Sequence, residues 1–228
     1  MRVESDKIRS MFDRIAPRYD ALNRLLSAGI DRSWRERAIK ALAAAPPGPM
    51  LDSCAGTLDL TALMCRAFPE RELVAADFSK TMLDLGAHKA RSARTVVADA
   101  MALPFDDGAF AAMVCGFGMR NLEDLRRGVA EARRVLRPGG IFVTLEFFRA
   151  ERPATRAFHA AYANVVLPTV GGIVSGDRSA YAYLAKSMQS FASRTEYEAV
   201  LREEGFVRVR GEDLTLGIAA LVHAEVPR

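Results

Sequence analysis

Residues 50–77 read MLDSCAGTLDLTALMCRAFPERELVAAD, and the order of residue types along that stretch decides the fold. Pro49–Cys54 is a short apolar run, a glycine-bearing loop leads on to Asp59, and Leu60–Phe68 has helical spacing. Glu72–Ala76 is a second apolar run, and it stops on Asp77. Two short apolar strands joined through a helix predict a parallel pair, because parallel neighbours need a crossover that covers one face of the sheet.

The same unit recurs downstream. Ser79–Ala90 reads as a helix with Ser79 as its N-cap, Thr95–Ala98 as a strand ending on Asp99, and Phe110–Cys115 as a strand meeting Gly116. Leu122–Leu136 is an amphipathic helix stopped by Arg137-Pro138-Gly139-Gly140, and Ile141–Leu145 is a strand ending on Glu146. Such alternation predicts an α/β domain with a parallel sheet covered by helices on both faces, so that ligands lie beyond the carboxyl ends of the strands. The tail differs: residues 150–192 read as helices broken at Pro168 and at Gly171-Gly172. Arg194–Glu204 is a helix, and Phe206–Arg210 and Leu216–Glu225 form a closing pair that predicts one antiparallel strand. The chain divides into an N-terminal helical segment (1–45), a core (46–148), an insert or lid (149–192) and a closing unit (193–228) of one domain.

A chain of 228 residues, half of them apolar, can bury a sizeable core, which excludes disorder. No apolar run reaches the length of a membrane span and the first thirty residues carry charge throughout, which predicts a cytoplasmic protein. Cys54, Cys65 and Cys115 read as reduced core thiols, and neither they nor the three histidines have metal-ligand spacing. The surplus of +4 is interleaved with acids, so no nucleic-acid module is implied.

Chemistry begins at Asp52–Asp59. An acid at the end of the second strand, Asp77, can accept both hydroxyls of a ribose while the loop around Gly56 and Thr57 faces the rest of a nucleoside. Asp99-Ala100 adds a third loop at that edge, placed to border an adenine. A dinucleotide site needs three glycines for its pyrophosphate, and Gly56 stands alone, so a nucleoside with an amino-acid tail fits better.

Several further stretches carry a resemblance. They are Phe12-Asp13-Arg14-Ile15-Ala16-Pro17-Arg18-Tyr19-Asp20, Asp31-Arg32-Ser33-Trp34-Arg35, Asp77-Phe78-Ser79, Phe117-Gly118-Met119-Arg120-Asn121, and Ser175-Gly176-Asp177 with Ala180-Tyr181-Ala182-Tyr183-Leu184. Over nearly its full length the chain resembles the class I S-adenosylmethionine-dependent methyltransferases, and within them the ubiquinone/menaquinone biosynthesis C-methyltransferases. The resemblance implies a Rossmann-like sheet of seven strands with the last antiparallel, S-adenosylmethionine as methyl donor, and a lipophilic prenylated benzoquinol or naphthoquinol as acceptor. It assigns Asp52, Gly56, Thr57, Asp77, Phe78, Asp99, Ala100 and Gly116 to the donor, Arg120, Asn121 and Tyr19 to catalysis, and Asp20 and Tyr181 to the acceptor.

Arg120 is the first choice to hold the acceptor oxygen; against this stands an arginine that merely caps loop carbonyls or pairs with Asp124. Tyr19 and Asp20 equally suit a pair that anchors their helix. Tyr181 and Tyr183, with Phe158 and Tyr162, either wall a tunnel for an isoprenoid tail or simply pack; His159 suits a helix surface better than a general base. A prenylated acceptor brings peripheral membrane contact into view, with Arg24, Arg32, Arg35, Arg37 and Lys40 as a contact, although these bases suit a solvated face better, and the apolar insert suits a homodimer as well as a lid. One departure stands out: the family's second loop glycine is Leu58 here, and Cys54 takes a position where a small residue is usual. A leucine held at positive φ costs about 1–2 kcal/mol, enough to weaken donor binding about ten- to thirtyfold; at negative φ the loop tightens and the site stays intact. The expectation is retained but weaker binding. Two alternatives stay open: a methyltransferase of another aromatic or isoprenoid molecule, and a non-catalytic quinone-binding subunit.

Overall fold

The structure is a computed structural model that describes residues 2–153, 155–157 and 178–228. The chain opens with α1 (Arg2–Leu26) and α2 (Asp31–Ala41), then alternates β1 (Met50–Ser53), α3 (Asp59–Ala67), β2 (Leu73–Asp77), α4 (Lys80–Gly86) and β3 (Arg94–Val97). β4 (Phe110–Gly116), α5 (Leu125–Val135) and β5 (Leu136–Glu146) complete the alternating part; α6 (Arg178–Ser190), α7 (Arg194–Glu203), β6 (Val207–Leu214) and β7 (Ala219–Glu225) close the described chain.

Among the described residues the strands form one seven-stranded sheet in the order β3-β2-β1-β4-β5-β7-β6. The first five run parallel, and β7 lies antiparallel between β5 and β6. Strand alternation sends successive side chains to opposite faces. Leu51, Met113 and Phe142 thus pack with Val129 and Val135 of α5 and Tyr197 and Leu201 of α7. Met50, Val114 and Val143 pack with Trp34, Ala38 and Ile39 of α2 and Leu60 and Met64 of α3. Strands buried on both faces read as the continuous apolar runs seen in the sequence. Strand order reverses between β1 and β4, and the crevice beyond their carboxyl ends is where this topology leaves room for a ligand.

Local signals set the element ends. Ser79 caps α4 by accepting the Met82 N–H at 3.1 Å, but the α-helix stops at Gly86, short of the Ala90 read from sequence. Asp124 caps α5 by accepting the Arg127 N–H. Ser193 caps α7 in a reciprocal box with Glu196. β5 begins at Leu136, five residues before the predicted Ile141, with its register against β4 shifting across the Pro-Gly-Gly stretch. The predicted breaks at Pro168 and Gly171-Gly172, together with His159, Phe158 and Tyr162, lie outside the described residues.

Candidate active site

Four strand ends build the floor of the site. At β2, Asp77 is fixed by two backbone donors, the Gly56 N–H to Oδ2 and the Ser79 N–H to Oδ1, both at 2.8 Å. Burial pushes its pKa up to about 6 against those hydrogen bonds. A carboxylate has about four acceptor positions, so two remain for a guest. At β1, Asp52 is fully buried, accepts the Thr61 hydroxyl at 2.6 Å, and is pushed up to about 7 by desolvation. Beyond β1 the loop turns through left-handed conformations at Cys54, Gly56 and Leu58. Leu58 takes φ +65°, so the strained alternative is the one adopted, yet its side chain is fully buried with Ala62, Ala75 and Leu83. Gly86 of α4 makes that possible: a Cβ there would stand 2.3 Å from the Thr57 carbonyl oxygen and 2.8 Å from the Leu58 Cγ.

After β3, Asp99 Oδ1 accepts the Met101 N–H at 2.8 Å, which shapes the loop that carries Ala100. After β4, the short 3-10 turn Met119–Asn121 sends adjacent residues different ways. Arg120 folds back, donating through Nη1 to the Phe117 carbonyl and to Glu146 Oε1, both at 2.6 Å. Glu146, fully buried at the end of β5, is raised by desolvation and drawn back down by Arg120. Arg120 Nε is buried and has no hydrogen-bond partner among the described residues. Asn121 donates to the Phe117 carbonyl and accepts the Tyr183 hydroxyl at 3.0 Å. Cys54 abuts Cys115, whose thiol is held well above its usual pKa by that contact and by burial, so it is a poor nucleophile.

Helix α1 supplies the remaining wall. Asp13 accepts the Ser79 hydroxyl at 2.5 Å, and Asp20 accepts the Thr57 hydroxyl at 2.5 Å and pairs with Lys89. Two cavities result. A larger one of about 630 Å³ lies over Gly56, Asp77, Phe78, Asp99 and Ala100, a volume suited to one small molecule. A second, of about 270 Å³, is walled by Met11, Ile15, Leu22, Trp34, Phe147 and Arg120 among others. Phe12, Tyr19 and Phe117 belong to both walls, so the two spaces adjoin.

Comparison with known proteins follows from this geometry. The sequence profile described as the ubiE/COQ5 methyltransferase family matches residues 1–226. The chain belongs to the ubiE/COQ5 methyltransferase family. A demethylmenaquinone methyltransferase of Thermus thermophilus is 43% identical over 215 residues, covering 92% of this chain and 97% of that protein. A ubiquinone/menaquinone biosynthesis C-methyltransferase UbiE of Geotalea uraniireducens is 40% identical over 229 residues, with 97% of each covered. Among solved structures, a methyltransferase of Thermotoga maritima described as S-adenosylmethionine-dependent superposes with a TM-score of 0.69 at 16% identity, over 95% of this chain and 98% of that one; it shares the fold.

In this ubiE/COQ5 family member the donor assignments separate into two groups. Gly56, Asp77, Phe78, Asp99, Ala100 and Gly116 wall the larger cavity, as do Asn121 and Tyr19, and Arg120 walls the smaller. Asp52, Thr57 and Asp20 wall neither. Asp52 ties β1 to α3, and Thr57 and Asp20 bond to each other beneath the larger cavity. Tyr181 lies on α6, with its side chain outside the described set. Arg120 caps a loop carbonyl, as the alternative reading has it, but its ionic partner is Glu146 and not Asp124. Leu58 adopts the positive φ of the strained alternative while its side chain stands in the core. Sequence reading passed over Glu146 and Phe117. The polar residue ending an otherwise apolar fifth strand was the available signal for the first, and the second heads the Phe117–Asn121 element that carries the resemblance, where it was given no role.

Proposed function

We propose that this chain methylates a ring carbon of a prenylated quinol with S-adenosylmethionine as donor, and that the two cavities hold donor and acceptor respectively. The observation that carries the reading is the shared wall of Phe12, Tyr19 and Phe117 between a cavity that ends on Asp77 and an apolar chamber that holds a buried arginine. Asp77, with two acceptor positions to spare, suits the paired hydroxyls of a ribose, and the Asp99–Met101 turn suits the flank of a base. S-adenosylmethionine supplies an electrophilic methyl group when bound.

The chain's own residues do the rest. A ring hydroxyl has a phenol-like pKa near 10; its ring carbon turns nucleophilic as that proton passes to a water at the oxygen, and after the methyl forms its bond to carbon the ring hydrogen leaves as a proton and the ring regains its aromaticity. Arg120 cannot take the proton, but a guanidinium beside the oxygen lowers its pKa and stabilises the oxyanion. Glu146 and the Phe117 carbonyl hold Nη1, and Nε has no hydrogen-bond partner among the described residues. Phe12, Trp34, Phe117 and Phe147 keep water from the reacting carbon. Names of relatives such as demethylmenaquinone methyltransferase support the same acceptor class. Leu25, Ile30 and Leu216 are exposed beside residues of the apolar chamber, which supports peripheral contact with the membrane that holds such acceptors.

The test is to incubate the protein with methyl-labelled donor and reduced demethylmenaquinone, then assay label in the extracted lipid. Label in the quinone ring is expected. Arg120→Met should lower kcat by about a hundredfold or more while donor affinity holds within threefold. Unchanged turnover would remove Arg120 from the chemistry, and absence of label with wild type would remove the function.

A further inference from the structure

The chamber holds a second buried guanidinium whose hydrogen bonding is incomplete. Arg35 of α2 is 9% exposed and stands in the chamber wall beside Trp34. Its Nε donates one long hydrogen bond to Asp31 Oδ2 at 3.3 Å, and its Nη2 lies 4.0 Å from Asp59. Neither Nη atom makes a hydrogen bond among the described residues. Arg134, by contrast, is more exposed and donates five. A guanidinium has five N–H donors, and an arginine serving structure alone is expected to use them when it is this far from water.

Its position relative to Arg120 is informative. Phe117 and Phe147 pack with ring centroids 4.6 Å apart. The Arg35 guanidinium lies 5.5 Å from the Phe117 centroid, and the Arg120 guanidinium 5.7 Å from that of Phe147. One cation thus sits against each ring of an aromatic pair that both share with the chamber. A quinol carries two ring oxygens on opposite sides of its ring, and only one of them needs to ionise for carbon attack.

We propose that Arg35 is a specificity-determining residue that holds the distal ring oxygen of the acceptor, so that the chamber selects dihydroxy rings over monohydroxy ones. The inference rests on the quinol reading above. Asp31, which also accepts the Ser27 hydroxyl at 2.7 Å, and Asp59, which pairs with Lys89, leave the Arg35 Nη donors free for the guest.

Trp34 is the chain's single tryptophan and belongs to the chamber wall, so its fluorescence reports occupancy without turnover. The experiment titrates wild type, Arg35→Met and Arg35→Lys anaerobically with a short-chain 2-prenyl-1,4-naphthohydroquinone and with the matching 2-prenyl-1-naphthol. Wild type should bind the diol about ten- to a hundredfold more tightly, the worth of one charged hydrogen bond. Arg35→Met should bring that ratio near one, and Arg35→Lys should restore part of it. A ratio unchanged in Arg35→Met overturns the proposal, as does equal loss of both ligands. Wild type that binds with the expected preference but transfers no label overturns the methyl-transfer reading and leaves the selectivity of Arg35 standing.

Discussion

At the scale of single residues, Leu58 shows how a departure from an expected glycine is accommodated. The backbone keeps the left-handed turn, and the isobutyl group goes to the protein interior beneath the loop. Leu58→Gly removes strain of about 1–2 kcal/mol but deletes a fully buried leucine, a change that costs about 3–5 kcal/mol. The expected outcome is a net loss of about 1–4 kcal/mol in urea unfolding, with donor affinity by calorimetry held within threefold. Tenfold tighter binding in the glycine variant would mean that the leucine does obstruct. Legibility in sequence tracks this same distinction. Gly56, Asp77 and Asp99 were readable because a strand end and a turn place them. The Arg120–Glu146 pair was not, because its partners are 26 positions apart and meet only when β4 and β5 lie side by side.

At the scale of elements, α1 is attached through two faces of different chemistry. Met11 and Leu22 pack with Tyr183 and Leu184 of α6, while Asp13 and Asp20, seven residues apart and hence on one side of the helix, bond to the loops after β2 and β1. Those loops border the larger cavity, so the helix that walls the cavity is latched to its floor. Asp13→Ala with Asp20→Ala should raise donor dissociation in stopped flow by about tenfold and hasten amide exchange in residues 2–26, leaving exchange in β1 and β4 as it was. Equal acceleration everywhere would mean that α1 and the sheet open as one unit. Sequence reading found the helix but set Asp20 beside the acceptor. A periodic pattern shows which residues share a face, and not which loop that face will meet.

At the scale of the whole molecule, acids stand buried at three strand ends, Asp52, Asp77 and Glu146. Asp52, raised from 3.8 to about 7, binds a proton in the folded chain over a range where the unfolded chain has lost it. Its contribution to stability is therefore full below pH 4 and is lost as pH rises through about 7. Comparing Asp52→Asn with wild type in urea unfolding from pH 5 to 8 should show the wild type losing stability relative to the variant, with a slope of up to about 1.4 kcal/mol per pH unit below pH 7. Parallel curves would mean that Asp52 is ionised throughout. The parallel alternation and the antiparallel closing strand follow from features plain in the sequence, apolar runs separated by helices and then a closing pair; the order of the strands across the sheet does not. The two adjoining cavities do not, since α1, α2 and the turn before β7 reach them from distant parts of the chain.

The outer walls of those cavities differ in kind. Asp6, Arg9, Glu123 and Arg127 border the larger one, whereas Leu26, Ala28, Ile30 and Ile218 border the smaller. On the proposed reading, two reactants of opposite solubility would have separate doorways and would meet at the aromatic partition between them. Neither would have to depart before the other arrives, and the water-borne one could exchange with bulk solvent while the oily one stays in place.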